Sequence, residues 1–181
     1  MLILKQAART FAIIFLFLLA ACNCTEEETE TTDDICQSYT DKGVATFFSV
    51  PPGMASVFID EEKTGNSELK ALLNETDHLN FLIIPNSYNV KENVHLSDIN
   101  QRLNAINFID LASINSGQEI VTVKISKSKS DSIVDEMVVL VADYETLFCV
   151  SFKGTISLNN VANLTKPENL DAMSNLNRFK K

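Results

Sequence analysis

The sequence predicts an α+β domain: a mostly antiparallel sheet with helices on one face. Three observations predict it. The last third of the chain holds three apolar runs, Glu119 to Ser126, Ile133 to Ala142 and Leu147 to Ser157, joined by hairpin-sized polar connections. Before them, two segments with helical apolar spacing alternate with strand-like runs. Finally, 181 residues with 45% apolar content and 11 Phe suffice for one real core. The order strand, helix, strand, helix, then a three-strand meander keeps the helices together.

Taken in order, Cys36 to Val50 reads as a short helix or an irregular lead-in, closed by Pro51-Pro52-Gly53. Ala55 to Asp60 reads as a strand centred on Val57, Phe58 and Ile59. Asn66-Ser67 caps a helix in which Leu69, Leu72 and Leu73 share a face. Leu79 to Ile84, stopped by Pro85-Asn86, reads as a buried strand. Ser97 caps a second amphipathic helix carrying Ile99, Leu103 and Ile106, and Phe108 to Ile114 is open between a strand and an extension of that helix. Asn115-Ser116-Gly117-Gln118 is a turn.

In the meander, Val121, Val123 and Ile125 alternate with Thr122 and Lys124, the pattern of a half-buried strand. Val138 to Val141 is apolar on both phases, which places that strand centrally. Phe148, Val150 and Phe152 alternate again, and Lys127–Ser132 and Asp143–Thr146 are the connections. Asn159 to Leu164 begins a helical turn that Pro167 breaks; Leu170, Met173 and Leu176 suggest a loosely packed tail helix. The chain thus divides into a signal (1–21), an acidic tether (22–35), one α+β domain (36–166) and a tail helix (167–181).

The first segment carries an address. Lys5 and Arg9 precede an uncharged apolar stretch, Phe11 to Ala21. As a helix it would rise about 16 Å, well short of a hydrocarbon core of ~30 Å, so it reads as a secretion signal. Leu19-Ala20-Ala21-Cys22 resembles the lipobox of bacterial lipoproteins. That resemblance implies peptidase recognition of Leu19, Ala20 and Ala21, cleavage before Cys22, and acyl chains such as palmitate on Cys22. One acyl chain holds a protein only marginally, but two or three anchor it durably. After Cys22, residues 23–34 contain six acids and no apolar residue beyond Cys24, the composition of a solvated, extended tether spanning roughly 20 Å. Glu26, Glu27 and Glu28 resemble the acidic surface-export signal of Bacteroidota lipoproteins.

Charge and composition exclude several classes. Net charge is −9; loss of Lys5 and Arg9 with the signal leaves 13 basic against 24 acidic side chains, or −11. Such a surface repels phosphate backbones, so no nucleic-acid partner is expected. Five Gly leave little material for a phosphate-binding loop.

Among the other cysteines, Cys24, Cys36 and Cys149 have no metal-ligand spacing, and an odd number cannot pair fully within one chain. Cys149 reads as a buried apolar filler, with a Cys36–Cys149 bridge as the alternative that an exported context permits. His78 and His95 read as solvated loop residues, not metal ligands. Asp60-Glu61-Glu62 lacks the calcium-loop pattern and reads as a charged turn. Asp135 and Glu136 fall on opposite strand faces and form no carboxylate pair; either can face Lys124 or Lys153 across the sheet. No GxSxG elbow is present, so no catalytic residue, cofactor or metal is expected. Ser126 to Ser132 is a hairpin turn in which Asp131-Ser132-Ile133 resembles the O-glycosylation site of Bacteroidota envelope proteins, with Ser132 as acceptor.

Asp135-Glu136-Met137-Val138-Val139-Leu140-Val141 and Phe148-Cys149-Val150-Ser151-Phe152-Lys153-Gly154-Thr155-Ile156-Ser157-Leu158 resemble the closing signature of a Bacteroidota group, domain-of-unknown-function family 4252. The resemblance runs from about Val44 to Leu164. It implies a small exported protein with two helices among strands, and brings no activity, cofactor or catalytic residue. The expectation is therefore a non-catalytic lipoprotein of the cell envelope, anchored at the outer membrane on its periplasmic face or at the cell surface. Its domain would bind an envelope protein partner or serve structurally. The alternatives are an envelope-sensing or regulatory lipoprotein and, third, a hydrolase.

Overall fold

Strands that are apolar on both phases need cover on both sides, and this fold supplies it. The computed structural model describes residues 29–57, 59, 63, 65–85, 94–128, 130–166 and 169. In chain order these form α1 (Thr32–Asp41), β1 (Thr46–Val50), α2 (Pro52–Val57), α3 (Asn66–Asn74), β2 (Thr76–Pro85), α4 (Val94–Ala105), β3 (Ile109–Asn115), β4 (Ile120–Lys127), β5 (Ile133–Ala142), β6 (Thr146–Ser157) and α5 (Leu158–Leu164). The strands make one sheet in the order β1-β2-β6-β5-β4-β3, with every neighbouring pair antiparallel.

The α+β class and the antiparallel meander hold; the placement of helices on one face does not. Phe81, Val139, Phe148, Val150 and Phe152 meet Leu69, Leu72 and Leu73 of α3, Ala55 of α2, and Val161 and Leu164 of α5. On the opposite face Leu82, Val138, Leu140, Leu147 and Cys149 meet Ile35, Cys36 and Tyr39 of α1 and Leu96, Ile99 and Leu103 of α4. The cause is visible in β5 and β6, whose alternating side chains are apolar in both directions. Leaving one face wet would cost about 1.5–3 kcal/mol for each large side chain exposed.

Local sequence explains where elements start and stop. Thr31 caps α1: its hydroxyl accepts the Asp34 N–H at 3.2 Å while the Asp34 carboxylate accepts the Thr31 N–H at 2.9 Å. α1 thus begins within the acidic segment, and Asp33 and Asp34 belong to its first turn. At the other end, Gly43 takes φ +70° and the Val44 N–H returns to the Tyr39 carbonyl, a left-handed closure that favours Gly or Asn. Asn107, at φ 68°, closes α4 in the same manner, with the Phe108 N–H on the Leu103 carbonyl.

Four further expectations are corrected. The lead-in before Pro51 contains strand β1, whose Phe48 stacks on its register partner Phe81 with centroids 5.2 Å apart. Of the strand expected over Ala55 to Asp60, Ala55 to Val57 instead close helix α2, which Pro52 can open because a missing N–H in the first turn costs nothing. Gly65, not Asn66 or Ser67, is the N-cap of α3. α4 begins at Val94, ahead of Ser97, and the open run after Phe108 is strand β3. The tail helix over 167–181 and the loop Asp60-Glu61-Glu62 lie outside the described residues, except for Asn169.

Candidate functional site

The polar chemistry of the domain is concentrated where α1 lies on the sheet. Ser49, Asn80 and Ser151 are successive register partners on β1, β2 and β6, so they form a polar row across three strands. Lys153 and Glu136 are register partners on β6 and β5, two residues along. Ser49 Oγ donates to Asn80 Oδ1 at 2.6 Å, and Asn80 Nδ2 donates to Asp33 Oδ1 at 3.0 Å. The second Asp33 oxygen receives Lys153 Nζ at 2.7 Å, and Lys153 lies 4.0 Å from Glu136 Oε1. Ser151 Oγ donates to that same Glu136 oxygen at 2.5 Å. Burial pushes the Glu136 carboxyl above its ordinary range, against the opposing pull of Ser151 and Lys153.

A second network joins α1 to α4. Tyr39 donates to Asp98 Oδ2 at 2.5 Å, and burial with this bond raises its phenol. Arg102 donates to Ser38 Oγ at 2.7 Å and forms an ion pair with Glu30. The Tyr39 ring meets His95 edge-on at 5.6 Å. Glu30, Asp33 and Asp34, which composition assigned to a solvated tether, are therefore bound into the fold. The signal that reveals this is the Thr31-x-x-Asp34 spacing, followed by Ile35, Cys36 and Tyr39 on one helical face.

Chemically, Ser151 shares Glu136 Oε1 with Lys153, but Ser151 is 1% exposed beneath α1. A bound ester or amide has no approach to its Oγ in this conformation. Asp135 sits at the register shift between Val134 and Glu136 and is exposed, so the two acids are separated, as the sequence indicates. Lys124 does not face either: it is buried on β4 and pairs with Asp110 Oδ1 of β3 at 2.7 Å. His78 lies in β2, not in a loop, and is exposed, whereas His95 is half-buried against Tyr39. Among the described residues no three His, Cys, Asp or Glu converge to hold a metal ion, and no helix is long and apolar enough to cross a membrane.

The remaining candidates divide by position. Ser132 is exposed in the β4–β5 turn, with its hydroxyl 3.2 Å from that of Ser130. Cys22, the recognition residues Leu19, Ala20 and Ala21, and Glu26, Glu27 and Glu28 lie outside the described residues. Partner binding calls for an exposed apolar patch or a sheet edge, and the sequence does not say which strand supplies it. β3 is a terminal strand, and Ile109, Leu111 and Ile114 on it are 46%, 37% and 37% exposed.

The model of the family described as Domain of unknown function (DUF4252) matches residues 39–164. The chain belongs to that family. Its span opens at Tyr39, whose hydroxyl ties α1 to α4, and closes at Leu164, the last residue of α5. No curated protein matches the chain. No solved structure matches it.

Proposed function

We propose that this member of the DUF4252 family is a non-catalytic lipoprotein of the cell envelope, held at the outer membrane by acyl chains on Cys22, whose domain captures a protein partner along the β3 edge. The observation that carries the reading is β3 itself. A seven-residue terminal strand presents backbone donors and acceptors along its outer side, and three large apolar side chains stand exposed on it. Sheet edges are commonly blunted by charge, Pro or bulges; β3 has one charge, Asp110, drawn to Lys124, and a register shift beside it, and the run from Ala112 to Asn115 carries no charge against strand addition. The partner is an extended polypeptide segment with apolar side chains. The −11 balance of the chain after residue 21 favours a basic one.

The buried position of Ser151 supports binding over hydrolysis. The lipobox residues Leu19 to Cys22 support the anchor, and the same address gives Glu26, Glu27 and Glu28 the role of export signal and Ser132 that of sugar acceptor.

A photo-crosslinking side chain at Leu111 in intact cells, followed by mass spectrometry, tests the edge. The expected result is one dominant protein adduct, absent from a crosslinker placed at Asp131 and lost on Ile114→Lys. Adducts equal at both positions would overturn it. Cys22→Ala should release the protein from the membrane fraction, and retention there would overturn the anchor.

A further inference from the structure

Cys36 projects from α1 and Cys149 from the centre of β6, and both side chains are buried in the same apolar cluster between α1, α4 and the sheet. Both are free thiols, near enough that Cys36 acts directly on the Cys149 thiol. Cys149 sits between its register partners Leu82 and Leu140. Two thiols from segments 113 positions apart, brought together in a dry layer, are more than a filler requires. A pair of Ala or Val residues would serve packing without reactive chemistry.

We propose that Cys36 and Cys149 form a disulfide in the exported protein, fastening α1, the element that follows the tether, to the central strand. The proposal rests on the envelope reading, because an oxidising compartment is what sustains such a bond. In the folded pair, contact with Cys36 and burial push the Cys149 thiol up, so its thiolate is scarce and exchange is slow. The bond therefore forms while α1 is undocked. The Cys36 thiolate attacks the disulfide of an exported thiol oxidase, giving a mixed disulfide and freeing one oxidase sulfur. The Cys149 thiolate then attacks Cys36 Sγ and expels the second. Two protein thiols become one disulfide, and their two electrons and two protons end on the oxidase as a dithiol.

The location gives the bond a mechanical sense. Load on a lipid tether enters the domain at Glu30 and Thr31 and meets first the ionic contacts of Asp33 and Arg102. A covalent link one helical turn further on carries that load into β6. Reduced, the same helix is held by polar contacts and apolar packing alone.

The test uses the full chain in two preparations: protein extracted from envelopes of the producing cell under acid quench, and purified chain refolded with oxidised glutathione. Each is denatured, alkylated without reductant, digested and analysed by mass spectrometry. The expected result is a Cys36–Cys149 linked peptide in both, with a urea midpoint that falls on adding reductant and does so no longer in Cys36→Ala/Cys149→Ala. Linkage after refolding with free thiols from the envelope overturns the bond in the cell and counts against the oxidising address, while leaving the geometry sound. Free thiols in both preparations, or Cys24 linked to Cys36, overturns the pairing itself.

Discussion

A Cβ built on Gly154 would lie 2.3 Å from the carbonyl oxygen of Glu75. The backbone enters β2 across this point, where the register against β6 shifts between Thr76 and His78. The Glu75 carboxylate also accepts the Ser157 N–H at 2.8 Å, at the N-cap of α5. The closing run from Gly154 to Leu158 thereby gains a physical reading. Gly154 makes room, Ile156 is buried, Ser157 is tied to Glu75, and Leu158 packs on the cluster beneath α3 and α5.

Gly154→Ala should destabilise the domain by about 1–3 kcal/mol or more, because backbone, not a flexible side chain, opposes the added methyl. Urea denaturation with an unchanged m-value would measure it. A loss below about 0.5 kcal/mol would mean that β2 shifts freely at its start.

Much of this fold was legible in the residues, and the failures have identifiable causes. Apolar alternation located β4 and β6, and a run apolar on both phases located β5. The same data implied the second helical layer: Val138 to Val141, apolar in both directions, require cover twice. α1 was hidden because its acids dominated the composition of 22–35, although the Thr31–Asp34 box marks a helix start. β1 was hidden because five residues give too short a period to separate strand from helix. The polar row could not be seen, since it depends on the strand register that brings Ser49, Asn80 and Ser151 level.

Stability should depend on pH through Glu136. Its carboxyl is pushed up in the fold by burial, so just above the unfolded value of 4.5 the native state binds more protons than the unfolded one. The slope of unfolding free energy with pH, set by protons bound unfolded minus native, is then negative. Stability contributed at acidic pH is lost as pH rises through that window. Other carboxylates, such as Asp34 with its lowered range, slope the opposite way. The comparison with Glu136→Gln isolates the term: the wild-type chain should lose ground to the variant as pH rises above 4.5, by denaturant midpoints. Parallel curves would refute it.

Thr31→Ala removes both halves of the cap at the start of α1 that depend on its side chain, including its 2.6 Å bond to Asp34. The expected loss is about 1 kcal/mol. Hydrogen exchange should rise first at Ile35 and Cys36 amides. Uniform exchange across α3 and α5 would show that the cap does not control α1 separately.

Lys124 supplies the sharpest test of how the β3 edge is held. Its ammonium is buried and donates both to Asp110 Oδ1 of β3 and to Asn104 Oδ1 of α4, each at 2.7 Å. Asp110 itself is two-thirds exposed, so solvent screens the pair and the value of a fully buried bridge does not apply. Asp110→Ala leaves a buried cation with one neutral partner and should cost about 1–2 kcal/mol. Lys124→Met keeps the apolar stem and deletes the charge, so it should cost less than Asp110→Ala. In the Lys124→Met background the second substitution should cost almost nothing, which a double-mutant cycle reads directly. Additive losses would mean that Asp110 holds β3 through some contact other than this lysine.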